Sequence, residues 1–123
     1  MRYIMLIYER PEEVEHRGDP EGEPYQAAWR AYYKALVAAD VYVTGAPLKA
    51  ADTATTMRLK DGQRHVQDGP FAEAKEELGG FMILELPSLD AALDWAARCP
   101  AAANGALEIR PMDVDLHDSI VRP

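Results

Sequence analysis

Residues 2–8 read RYIMLIY, a run of strand-forming residues whose two faces decide the fold. Successive side chains of a strand point to opposite sides, so Tyr3, Met5 and Ile7 share one face while Ile4, Leu6 and Tyr8 share the other. Neither face is polar. A strand that is apolar on both sides has to be covered on both sides.

The segments that follow supply one of those covers. ERPEEVEHRGDPEGEP, residues 9–24, is charged and broken by Pro and Gly, and reads as an exposed loop. Residues 25–39 place Tyr25, Ala28, Trp29, Tyr32, Leu36 and Ala39 at spacings of three and four, which predicts a helix with one apolar stripe. A second strand runs over 41–46 and is broken by Pro47. Residues 53–60 and 63–67 flank Asp61-Gly62, and such a pair between extended runs predicts a hairpin with a type I′ turn. GFMILEL, residues 80–86, predicts a central strand. Ser88 is positioned to cap a helix over 89–98, with Leu89, Ala92, Leu93 and Ala96 facing inward and Pro100 ending it. A last strand over 106–112 alternates Leu107 and Ile109 with Glu108 and Arg110. The tail VDLHDSIVRP is of mixed polarity and receives no assignment.

The order is β-α-β, a hairpin, then β-α-β, an α+β chain. Two helices cover one face of such a sheet. The other apolar face predicts a homodimer, with a second copy stacked on it.

Composition bounds the function. The chain has 123 residues, 48% of them apolar, which suits one domain with a single core. The net charge of -8 argues against nucleic acid or an anionic membrane as partner. No run approaches the roughly 20 apolar residues of a membrane helix, and no signal peptide is visible. The expected location is the cytoplasm. Cys99 is the single cysteine and has no partner for an internal disulfide. Zinc-site spacing, Gly-rich phosphate loops, the nucleophile elbow and the Rossmann fingerprint are all missing, so no metal or cofactor is expected.

Residues 67–81 read QDGPFAEAKEELGGF, too long and too charged for a minimal connector. This stretch closely resembles the signature of the DGPF family within the YCII-related proteins. RYIMLIY, VTGAPL, ALDWAARCP and LEIRPM extend the resemblance along most of the chain. It implies a single domain over 1–123 with a ferredoxin-like sandwich, a mainly antiparallel sheet with two helices on one face, that dimerises into an α/β barrel arrangement. Some members are encoded near, or fused to, alternative sigma factors. Other YCII-related proteins look like enzymes, with a His on the first helix and an Asp just before the Pro after the second. Here Trp29 and Cys99 stand at those positions, so that pair is not carried over and no catalytic residue is assigned.

The motif loop offers the candidate site. Asp68 either fixes the turn through backbone N–H groups or serves as an acid or base. Phe71 is a loop anchor or a pocket wall. Glu73, Lys75, Glu76 and Glu77 are either a solvated charged face or a cluster able to bind a cation or share a proton, though without the ligand spacing of a metal site. His65 lies on the hairpin strand leading into the loop. Arg110 forms an ion pair with Glu108 or, in a dimer cleft, holds an anion. The ligand-binding candidates are therefore His65, Asp68, Phe71, Glu73, Lys75, Glu76 and Arg110, with Trp29 and the tyrosines as apolar walls. Two functions fit. One is a dimer that binds a small molecule beside the loop, with acid/base chemistry available. The other is a non-catalytic interaction module that docks a protein partner, as in sigma-factor-dependent transcription.

Overall fold

The computed structural model describes residues 1–122. The elements are β1 (Arg2–Glu9), α1 (Pro11–Glu15), α2 (Glu23–Ala38), β2 (Tyr42–Pro47), β3 (Thr55–Lys60), β4 (Gln63–Asp68), β5 (Glu77–Glu85), α3 (Leu89–Arg98), β6 (Ala106–Pro111) and α4 (Val114–Val121). The main sheet has four strands in the order β2-β5-β1-β6, with antiparallel neighbours throughout. This is the ferredoxin-like arrangement, an α+β fold with β3 and β4 inserted as a separate two-stranded hairpin. The four-stranded sheet is open and forms no closed barrel within one chain.

β1 lies in the interior of the sheet, between β5 and β6. Tyr3, Met5 and Ile7 are buried and join Tyr32 and Leu36 of α2, Met82 and Leu84 of β5, and Ala92 and Ala96 of α3 in one core. The Tyr32 hydroxyl donates to Trp95 O at 2.8 Å, tying α2 to α3. Across the sheet, Ile4 pairs with Ile83 and Leu6 with Phe81. Their side chains form an apolar patch on the face the helices do not cover, and they are half-buried there.

Several boundaries follow the local chemistry. Ser88 Oγ accepts from Ala91 N–H at 3.2 Å, the expected N-cap of α3. Asp61 (φ 53°) and Gly62 (φ 76°) make the hairpin turn with two positive φ angles. Pro47 does not break β2; it is the last residue of that edge strand, where a missing N–H is tolerated.

Other expectations are corrected. The segment 9–24 is not all loop: it carries α1 and a 3-10 turn over Pro20–Gly22. β5 begins at Glu77, three residues early; before it Glu76 lies in a bend and Glu73 in irregular backbone. Leu89 and Leu93 are exposed, because α3 is rotated to set small Ala92 and Ala96 against the sheet and to let Trp95 pack beside them. Ala28 and Ala39 lie outside the buried stripe of α2. The tail forms α4, capped by Asp113, whose carboxylate accepts from Leu116 N–H at 3.0 Å; Pro123 lies outside the described residues. Among the described residues no helix is long and apolar enough to cross a membrane.

Candidate functional site

Glu9 is the starting point. It continues the period-two row Tyr3, Met5, Ile7 toward the helices and is only 4% exposed. A carboxylate so placed needs partners. The Tyr25 hydroxyl on α2 donates to Oε1 at 2.6 Å. Arg17, between α1 and α2, approaches Oε2 with Nη2 at 3.1 Å. The same Nη2 donates to Gly79 O at 2.9 Å, and Nη1 donates to Leu48 O. One guanidinium thus joins β1, the exit of β2 and the start of β5. Gly79 is required here: a Cβ on it would lie 1.8 Å from Glu9 Oε2.

The pair forms one end of a cavity of about 430 Å³ between α2 and the β2–β5 side of the sheet. Its walls are aromatic and aliphatic, chiefly Ile7, Trp29, Tyr33 and Tyr42, with Gly79 and Gly80 leaving room at the backbone. The Trp29 and Tyr33 rings lie 5.6 Å apart and tilted, and Tyr33 meets Tyr42 edge-on at 5.5 Å. Burial pushes the Tyr33 phenol up to about 12. Burial and then the bond to Glu9 raise Tyr25 further, which keeps it a donor to the carboxylate. At the rim Arg30 pairs with Glu23, beside Gln26. The chemistry on offer is a mainly apolar chamber with one buried carboxylate–guanidinium pair. Among the described residues no three His, Cys, Asp or Glu side chains converge to hold a metal ion.

None of the seven ligand-binding candidates predicted from the sequence lines this cavity. His65 sits on the hairpin opposite Arg58, exposed. Asp68 ends β4 opposite Thr55; the turn after it is held by Gly69 N–H to Ala54 O and by the Thr56 hydroxyl to Gly69 O, each at 2.8 Å. Phe71 is 73% exposed, with the Arg58 guanidinium 4.6 Å from its ring centre. Glu73 and Lys75 are exposed and Glu76 is half-buried. Glu77 accepts from Ala51 N–H at 3.1 Å. Arg110 pairs with Glu108 at 2.6 Å on the face away from the helices. The motif stretch reaches the cavity only through Gly79 and Gly80. Trp29 lines this cavity and not a cleft beside the motif loop, for which it was expected as a wall. Cys99 is buried in the core, and burial pushes its thiol up to about 12.

The YCII-related domain matches residues 1–113. The chain belongs to the YCII-related family. A curated member, an uncharacterised protein of Rhizobium meliloti (strain 1021), is 34% identical over 114 residues, covering 91% of this chain and 92% of its own length. Among solved structures, 5-chloro-2-hydroxyhydroquinone dehydrochlorinase from Burkholderia phenoliruptrix AC1100, in complex with 2,5-dihydroxybenzoquinone, shares the fold at a TM-score of 0.54. It is 20% identical, over 92% of this chain and 94% of that one. In this YCII-related chain the sequence reading missed Glu9 and Arg17. Glu9 carried a signal, a carboxylate continuing a buried alternating row. Arg17 carried none, since its partners are 8, 31 and 62 residues away.

Proposed function

We propose that this YCII-related protein binds a small, planar and mainly apolar molecule in the chamber between α2 and the β2–β5 side of the sheet. The observation that carries the reading is the chamber itself: about 430 Å³, walled by aromatic rings, with one buried ion pair as its polar end. Small-molecule sites have this size and this ratio of apolar wall to polar anchor. Rings of Trp29 and Tyr33 favour a flat ligand, and Glu9 accepts a hydrogen bond from a ligand hydroxyl or N–H. Acid/base chemistry on such a ligand would use Glu9 as proton acceptor, with Tyr25 and Arg17 holding its two oxygens in place. The resemblance of 68–81 to the DGPF signature supports a place in that branch of the family. The patch of Ile4, Leu6, Phe81 and Ile83 supports a homodimer in which two such faces stack.

The test is a thermal-shift screen against small planar aromatics, with each hit repeated on Trp29→Leu and on Glu73→Gln/Lys75→Met. A ligand at 100 times its Kd stabilises by about 2.7 kcal/mol. Loss of the shift in Trp29→Leu alone is the expected result. Loss in the loop variant alone assigns the site to the motif loop instead. No hit with the wild type overturns the reading in favour of an interaction module, whose supporting observation is the exposed Phe71–Arg58 pair beside the hairpin.

A further inference from the structure

The chamber has polar groups at two places, and they differ in the charge they can still accept. At the inner end Glu9 is already engaged. The Tyr25 hydroxyl donates to Oε1 at 2.6 Å and Arg17 Nη2 to Oε2 at 3.1 Å. Arg17 is engaged as well, since three of its five N–H groups go to Glu9, Gly79 O and Leu48 O. The two opposite charges at that end neutralise each other.

The rim is different. Gln26 and Arg30 both line the chamber. They are four apart on α2, so amide and guanidinium lie on one face, a turn apart. Tyr33, three residues further on, belongs to the same wall, and burial keeps its phenol neutral and able to donate. Arg30 pairs with Glu23, which is not part of the wall. Both members of that pair are exposed, at 64% and 60%, so it contributes little and opens readily. Glu23 is also the first residue of α2, where the helix dipole favours a carboxylate that has no counter-ion. An incoming anion can therefore take Arg30 from Glu23 without stranding a buried charge. A cation has no such opening. The one carboxylate on the wall is Glu9, and a cation brought to it meets Arg17 beside it and is repelled.

We infer that the chamber takes planar monoanions, with an aromatic ring against Trp29 and Tyr33 and a carboxylate or similar oxyanion at the rim, held by Arg30 and Gln26. The inference rests on the chamber being the ligand site, as proposed above, and adds the sign of the ligand's charge and where that charge sits. Glu23 then acts as the group the ligand displaces. It occupies Arg30 when the chamber is empty and is released into solvent at the start of α2 when an anion arrives.

The experiment titrates isotope-labelled full-length protein with benzoate, benzamide and benzamidine, and follows amide and indole N–H shifts by NMR. The three probes share one planar shape and differ in charge: an anion, a neutral molecule and a cation. Benzoate should bind about tenfold more tightly than benzamide, the worth of one charge-assisted contact, and benzamidine more weakly than either. Arg30→Gln should bring benzoate down to the level of benzamide. Glu23→Gln, which frees Arg30, should tighten benzoate. Both positions are exposed, and circular dichroism checks that the variants fold. Benzamide or benzamidine binding in the chamber as tightly as benzoate overturns the inference and leaves the chamber as a ligand site. A benzoate preference that survives Arg30→Gln overturns it too, as do benzoate shifts that avoid Ile7, Trp29 and Tyr33. No shift at Trp29 with any probe at millimolar concentration overturns the chamber and its charge preference together.

Discussion

Replacing Arg17 by Met tests the buried pair directly. Glu9 is 4% exposed at its side chain and Arg17 27%, so the pair is shielded on one side and partly screened on the other. Arg17→Met removes the ionic partner at 3.1 Å and the donors to Gly79 O and Leu48 O, while the Tyr25 bond remains. Breaking a fully buried pair costs about 3–5 kcal/mol because one charge is left uncompensated. The exposure of Arg17 lowers that to about 2–3 kcal/mol. Glu9→Gln is milder, about 1 kcal/mol, since its amide oxygen still accepts a hydrogen bond and Arg17 keeps two carbonyls. The signature is the double variant. Glu9→Gln/Arg17→Met lacks the stranded carboxylate and should be more stable than Arg17→Met alone. Urea unfolding followed by circular dichroism measures all four proteins. Single effects that add within about 0.5 kcal/mol in the double variant would refute the argument that the two side chains act as one unit.

Two further outcomes follow from the same chamber. Gly79→Ala puts a methyl group where Glu9 Oε2 now lies, 1.8 Å from it, so the carboxylate must leave its partners; a loss of about 2 kcal/mol is expected on urea unfolding, and it should shrink when Glu9 is also replaced by Ala. The buried phenols tie stability to high pH: Tyr33 is raised from 10.0 to about 12 and Tyr25 and Tyr32 are raised as well, burial being the first cause in each. The protonated phenol is the form the fold favours, so this contribution is whole below pH 10.0 and is lost as pH rises through about 12. Absorbance titration at about 295 nm should show these tyrosines ionising late and together with unfolding; ordinary titration of all six tyrosines in a folded protein would contradict it.

The frame of the fold was legible because its signals are local. The Asp61-Gly62 turn, the Ser88 cap and the alternation in RYIMLIY each state their geometry within a few residues. The rotation of α3 was not legible, because Leu89 and Leu93 satisfy a helical period as well as Ala92 and Ala96 do; only the close approach of the sheet selects the small pair. The motif stretch drew attention to its charges, whereas the groups that reach the chamber from it are Gly79 and Gly80, which have no side chains to notice. Arg17 looked like one charge among many in a loop. Its role depends on bringing Leu48 and Gly79 within reach of one guanidinium, and no spacing along the chain encodes that.

The central place of β1 bears on how the protein is made. This strand is paired on one side by residues 77–85 and on the other by residues 106–111, and Met1 N–H is bonded to Leu86 O, 85 positions away. Helix α2 and the hairpin close through near neighbours. The strand that organises the core waits, apolar on both faces, until residues 106–111 have left the ribosome. Folding dominated by such distant pairings is slow, and an unpaired apolar strand is prone to aggregate meanwhile. Overexpression should therefore strain this protein most during synthesis, and truncations that remove β6 should yield insoluble chains while changes in the hairpin tip do not.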